Sequence, residues 1–358
     1  MSIKTTIKKT LATLFLLSCA AIPMPRVPAD AADATAQLAA KLYEGAKKEG
    51  KLVIYGLGEP FLTPVATAFK RRYTGITIEA LNEPGAQSHE RVIAEQKSSR
   101  PIGDIIIAGP IYTWPLADLN YLEPFKTSQW AQMIPELLPD IPNANPLRAG
   151  VFSMAINSKL ISPAEEPKQW SDLLQPRFKG KMASDDPRGS GGPGRPGAGM
   201  VASLEKAFGV EYLQKLAAQD IFFSRDSGTI LANLVRGEYT LFITAWHNEI
   251  IAARKSGAPL KFLKPTDGVR AAGNYQSIVK NAPHLNAAKL WVEWSTTEEG
   301  QQVFAKTGQG AARKGIKAGE PEADLTGVKL LPVVSSRQDM NLINERTKRF
   351  EGIFFKKN

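Results

Sequence analysis

The sequence predicts an α/β protein built from two units, each around a parallel sheet. Three observations carry this. Short apolar segments alternate with amphipathic segments of helical period. The joints between them are short, as βαβ units allow. The chain has 358 residues, longer than one core usually serves, so two domains are expected.

The elements follow in order. AQLAAKLYEGAKKE (36–49) is amphipathic and reads as a helix. KLVIYG (51–56) is a buried strand stopped by glycine. PVATAFKRRYTG (64–75) reads as a helix, ITIEAL (76–81) as a strand and SHERVIAEQKSS (88–99) as a helix capped by Ser88. DIIIAG (104–109) is apolar throughout and closes a βαβαβ unit. In such sheets ligands lie at the carboxyl ends of the strands, so the loops at 56–61, 82–88 and 108–113 are the places to watch. They contain Gly58, Glu59, Ser88, Gly109 and Pro110. Plain turn chemistry is the competing reading for each.

A second unit starts near VFSMAIN (151–157). WSDLLQPRFKGKM (170–182) leads into the strand KMAS, and EYLQKLAAQ (211–219) is helical. IFFS (221–224), YTLFITA (239–245) and LKFLKP (260–265) read as strands. DSGTILANLVRGE (226–238) and HNEIIAARKSG (247–257) read as helices, the first opened by Ser227-Gly228-Thr229. Residues 286–308 form an amphipathic helix pair, 310–326 an exposed connection and 343–355 a final helix.

The first 31 residues have the order of an export signal. Lys4, Lys8 and Lys9 precede an apolar run from Leu11 to Met24, and Ala29-Asp30-Ala31 offers an A-x-A cleavage site. The competing reading takes Leu16-Leu17-Ser18-Cys19 as a lipobox, with Cys19 lipidated. Removing residues 1–31 lowers the formal charge from +10 to about +7. Cys19 is the single cysteine, so the remainder has no disulfide, thiolate metal site or cysteine nucleophile. A periplasmic protein held by its own core is expected.

The order of segments, with PAEEPKQWSDLLQPRFKGKM, GTILANLVRGEYTLFIT and NAAKLWVEWSTTEEGQQVFA, resembles the extracellular solute-binding proteins of bacterial ABC importers from about Ala36 to the C-terminus. The likeness is to the branch with ferric-iron, sugar-phosphate, phosphonate, thiamine and polyamine binders. It implies a type II periplasmic binding protein fold, two α/β lobes joined by two hinge strands and closing on a solute. The implied lobes are 32–150 plus 268–324 and 151–267 plus 325–358. It also implies a permease of the inner membrane as partner. A monomer without a cofactor is expected. Ferric binders of this branch carry a tyrosine pair where Ala245-Trp246-His247-Asn248 stands, which counts against iron.

The glycine-rich stretch DDPRGSGGPGRPGAGM (185–200) precedes a second-lobe helix. Arg188 there is a candidate bidentate clamp for a phosphate, phosphonate or carboxylate. Ser190 would add a hydroxyl, and Gly191 close backbone approach. Ser227 and Thr229 offer a second helix start with affinity for anions. The competing reading pairs Arg188 with Asp185 and Asp186 in a solvated turn and makes Ser227 and Thr229 helix caps. Arg195 is read as solvated. Glu59 would suit an ammonium group, and an amine at one end with an anion at the other would fit an aminophosphonate or amino acid. Trp246 and Tyr275 are candidate stacking groups and His247 a candidate ligand donor. Trp114, Trp170, Trp291 and Trp294 are read as core, His89 and His284 as surface.

Gly189 to Gly194 matches G-x-G-x-x-G, but Pro193 and Pro196 spoil the helix start a dinucleotide site needs. No G-x-S-x-G elbow or H-E-x-x-H motif occurs, and the three histidines are scattered. No nucleic-acid-binding motif accompanies the basic charge. The reading is a non-enzymatic capture of a small oxyanion. A metal-chelate binder, a partner of a membrane sensor and an exported hydrolase stay open as alternatives.

Overall fold

Short apolar runs near the N-terminus pair with their neighbours in sequence. The computed structural model describes residues 29–59, 61–83, 85–188, 196–333 and 335–355. The first unit contains α1 (Ala29–Glu49), β1 (Lys51–Tyr55), α2 (Leu62–Arg72), β2 (Thr77–Leu81), α3 (Gly85–Lys97), β3 (Ile105–Ala108) and α4 (Pro110–Asp118). β1 pairs in parallel with β2 on one side and β3 on the other, forming the βαβαβ unit. Its strands alternate between two cores. Leu52, Ile54, Ile105 and Ile107 face Phe69, Trp291 and Trp294. Val53, Tyr55, Ile106 and Ala108 face Val92 and Leu116. Helices therefore cover both faces, as parallel strands require.

The chain then crosses to the second unit in β4 (Ala144–Asn157), one continuous 14-residue strand. There follow β5 (Met182–Asp185), α5 (Pro196–Ala217), β6 (Phe222–Ser224), α6 (Ser227–Arg236), β7 (Leu241–Trp246), α7 (His247–Lys255) and β8 (Leu260–Phe262). Strand β9 (Arg270–Ile278) crosses back to α8 (Leu285–Thr296), α9 (Glu298–Lys306) and β10 (Gly310–Ala311). The tail ends in α10 (Arg337–Asn341) and α11 (Ile343–Phe354). The sheet order is β2-β1-β3-β9-β4-β7-β5-β6, with β8 and β10 also on β4. Parallel pairing holds within each unit, and β5 lies parallel to β6 and β7. The crossing strands differ: β9 is antiparallel to β3 and to β4, and β4 is antiparallel to β7. The β4–β9 ladder runs from Ala144↔Ser277 to Phe152↔Arg270 and holds the units together.

Several boundaries differ from expectation. α1 starts at Ala29, before residue 36, and Cys19 with most of the leader lies outside the described residues. Ser88 is not a cap. It sits inside α3, fully buried, and its hydroxyl donates to Glu83 O at 3.5 Å. Asp226, not Ser227, caps α6, with its carboxylate accepting from Gly228 N at 3.0 Å. A carboxylate satisfies a helix N-terminus with full negative charge, which a hydroxyl lacks. The stretch 310–326 is not wholly exposed. Ala311, Ala312, Ile316 and Ala323 are buried, because β10 adds to β4. α11 packs on α5, tied by Arg349–Glu205 at 2.7 Å and by Phe350 in the second core.

Candidate functional site

Strands β1 and β3 end facing the second unit, and a cavity of ≈ 610 Å³ opens there. Its volume suits a small solute. From the first unit come Gly56 after β1 and Gly109-Pro110 after β3. Only glycine fits position 56. Its φ is +83°, and a Cβ would stand 2.2 Å from Ile107 O. The crossing strands supply Arg148 and Phe152 from β4, and Arg270 and Tyr275 from β9. The second unit supplies Ser227, Trp246 and Glu249.

The arginines are placed by the ladder. Pairing slips between Pro146 and Arg148, where proline lacks a donor for the sheet. Leu147 then enters the first core and Arg148 enters the cavity wall. Arg148 Nη1 donates to Gln309 Oε1, and its guanidinium stands 4.9 Å from the Phe61 ring. Its Nε is buried without a hydrogen bond, and no carboxylate among the described residues lies within ion-pair distance. Arg270 is 1 % exposed and stands 5.0 Å over Phe152, whose ring stacks on Trp246 at 6.2 Å and 17°. Burial draws both guanidinium groups down to about 10, so both stay charged at neutral pH.

Glu249 opposes them in sign. Burial, with the charges of Asp185 and Asp226 nearby, pushes its carboxyl up to about 7. This acid is harder to ionise folded than unfolded, so the folded state holds its proton longer. It therefore makes the protein lose stability as pH rises from about 4.5 to about 7. Compared with Glu249→Gln, the unliganded wild type should lose about 1–2 kcal/mol over that window, a figure reduced for partial exposure of the group. Parallel melting curves at pH 5 and pH 8 check this. Equal changes in the two proteins would refute it.

The sequence candidates separate by place. Gly109, Pro110, Ser227, Trp246 and Tyr275 line the cavity. Gly58, Glu59, Ser88, Arg188, Thr229 and His247 are not in its wall. Ser190, Gly191 and Arg195 lie outside the described residues. Arg188 is gripped by Asp186 through Nε at 3.0 Å and Nη2 at 2.8 Å, and lies 3.5 Å over the Phe355 ring. A guanidinium so placed has spent its bidentate face. Gly58 packs against Asn82, and Glu59 accepts from Thr63 N at 3.2 Å. The Thr229 hydroxyl donates to Asp226 at 2.8 Å. His247 is fully buried, with Nε2 2.8 Å from Gly308 O and Nδ1 accepting from Val151 N at 3.2 Å. It fastens β4 to the loop after α9. His284 is not a surface residue, since it pairs at 2.9 Å with the buried Asp104. The four tryptophans read as core are all buried.

Arg148, Arg270 and Glu249 escaped the sequence reading. The signal available was a lone charge inside an apolar stretch, VRAA for Arg270 and NEII for Glu249.

A cavity between two α/β units, at strand carboxyl ends and across two crossing strands, defines a two-lobed binding protein. This chain belongs to the bacterial extracellular solute-binding protein family, whose profile matches residues 101–325. Solute-binding proteins of this family deliver their ligand to ABC transporter permeases. A Haemophilus influenzae protein of unassigned function is 27 % identical over 285 residues, 76 % of this chain and 81 % of its own. A periplasmic protein of Salmonella typhi, provisionally named for 2-aminoethylphosphonate binding, is 25 % identical over 292 residues, 73 % and 82 % of the two chains. Among solved structures, the periplasmic binding protein AfuA of Actinobacillus pleuropneumoniae with fructose-6-phosphate superposes at TM-score 0.63. It is 22 % identical, covering 85 % of this chain and 98 % of that one. A Trichodesmium protein with iron and citrate superposes at 0.69, with 16 % identity and coverage of 86 % and 100 %. At these identities the structural likeness speaks for the fold alone.

Proposed function

We propose that this protein captures a small oxyanion in the cavity between its lobes, in the periplasm, and presents it to an ABC permease. One observation carries the reading: Arg148 enters the cavity wall as a cation without a carboxylate partner among the described residues, with buried Arg270 in the same wall. A charge held partly out of water in this way is stabilised by an ion of opposite sign. A phosphonate, phosphate or carboxylate presents two oxygens to a guanidinium in matching geometry. The Phe152–Trp246 stack would shield the ligand from water, and shielding strengthens the attraction. The lobes we assign are 32–150 plus 268–324 and 151–267 plus 325–358. In support, α11 packs on α5 and Leu331 joins the second core. Closure would bend β4 and β9, the strands that connect the lobes.

A thermal-shift panel of phosphonates, sugar phosphates, small carboxylates, ferric citrate, thiamine and polyamines tests the reading. A bound oxyanion at a hundred times its Kd adds about 2.7 kcal/mol and a clear rise in Tm. A response to thiamine or polyamines with none to any anion would sink it.

A further inference from the structure

Two carboxylates reach the cavity, Glu83 and Glu249. Glu83 is occupied, since Arg91 grips both its oxygens through Nε at 3.2 and 3.1 Å. Glu249 differs. Its Oε2 is buried and accepts no hydrogen bond, and no ion pair reaches it among the described residues. The two aspartates whose charges it feels, Asp185 and Asp226, take up the hydroxyls beside them. The Ser227 hydroxyl goes to Asp185 Oδ1 at 2.5 Å, the Thr244 hydroxyl to Asp185 Oδ2 at 2.6 Å and the Thr229 hydroxyl to Asp226 at 2.8 Å. Those two aspartates add negative charge to the region. A buried acceptor without a donor is costly, and a nearby like charge raises the cost.

The cavity thus carries cations from the crossing strands and an acid from α7, and Glu249 forms no ion pair with Arg148. Its electrostatic complement is dipolar. A plain anion would satisfy Arg148 and leave Glu249 without a donor. A hydroxyl would give Glu249 one hydrogen bond and leave its charge unbalanced. An ammonium group supplies both donors and charge.

We propose that Glu249 selects a zwitterionic solute, a small oxyanion bearing an ammonium group, whose amine sits on Glu249 while its oxyanion sits on Arg148 and Arg270. This rests on the oxyanion reading above. The amine site thereby moves from the loop after β1, where Glu59 already serves Thr63, to the first turn of α7.

Matched pairs that differ only in the amine test it by calorimetry: 2-aminoethylphosphonate against ethylphosphonate, ethanolamine phosphate against ethyl phosphate, and β-alanine against propionate. In at least one pair the aminated member should bind about tenfold more tightly or better. Glu249→Gln should remove that advantage, with Glu249→Ala as the second variant if Gln does not fold. Equal binding within every pair overturns the proposal, as does an advantage that survives both variants. If only anions without an amine bind, such as fructose 6-phosphate, the zwitterion falls and the oxyanion reading stands. If no anion binds, both fall.

Discussion

Arg148→Met is expected to weaken oxyanion binding by about a hundredfold while leaving the unliganded protein within about 1 kcal/mol of wild-type stability. The two halves of this expectation have one cause. The Arg148 side chain is half-buried, its Nε is fully buried without a hydrogen bond, and no described carboxylate balances its charge. The unliganded protein therefore bears the cost of that charge, and methionine relieves it. Against this stands the loss of the bond to Gln309 and of the contact with Phe61, whose apolar part the methionine stem retains. The bound oxyanion, by contrast, would lose the ionic hydrogen bonds of one of its two guanidinium groups. Arg148→Lys keeps the charge but not the fork, so intermediate affinity is expected. Titration calorimetry reads the affinity and a melting curve the stability. Undiminished affinity in the methionine variant would remove Arg148 from the site. A fall of several kcal/mol in stability would make it a structural residue.

Trp170→Ala should cost about 3–5 kcal/mol and, through the second lobe, abolish binding. Trp170 is fully buried in the second core beside Leu173, Phe178 and Leu213. Its indole N–H donates to Gly268 O at 2.8 Å, and its backbone N–H to the Asp267 carboxylate at 3.0 Å. Its own carbonyl accepts the Tyr212 hydroxyl at 2.8 Å. Residues 267–268 lead directly into β9, so this tryptophan anchors the start of a crossing strand. Removal leaves both a void and an unpaired buried carbonyl. Trp170→Phe would fill most of the void and lose the Gly268 bond, so a smaller cost of about 1–2 kcal/mol is expected. Urea denaturation gives both numbers. An alanine variant within 1 kcal/mol of wild type would show that the block around Trp170 is not what holds the strand.

That block shows what kind of signal a sequence carries. P-x-x-W-x-D-L marked the family, and its residues are structural: Trp170 fills the core, and Asp172 completes a reciprocal cap with Gln169. The first βαβαβ unit was also readable, because each strand is a short apolar run between helices that pack on it. Strand β9 is implied only by the family's two hinge strands and is not legible in its own residues. RAAGNYQSI lies in the middle of the sheet with strands on both sides, and its small and polar residues follow neither apolar nor alternating pattern. Its strand form comes from β3 and β4, not from its own propensity.

The candidate site divides in the same way. Gly109, Pro110 and Ser227 line the cavity because strand ends and helix starts meet at the open edge of an α/β sheet, a placement that follows from chain order. Arg188 looked like a clamp for its glycine-rich setting, yet Asp186, two residues back, binds it bidentately. The expectation and its competitor were both local, and only geometry separates them. Arg148 and Arg270 lie far apart in the chain and reach one wall through the β4–β9 ladder and its slip after Pro146. By itself the sequence determined the lobed α/β class, the family and the loops that face the cavity, because local periodicity and chain order encode these. That Arg148 and Glu249 have no ion-pair partner among the described residues was decided only by the tertiary structure, since a counter-charge acts through space over a few ångströms and has no fixed separation along the chain.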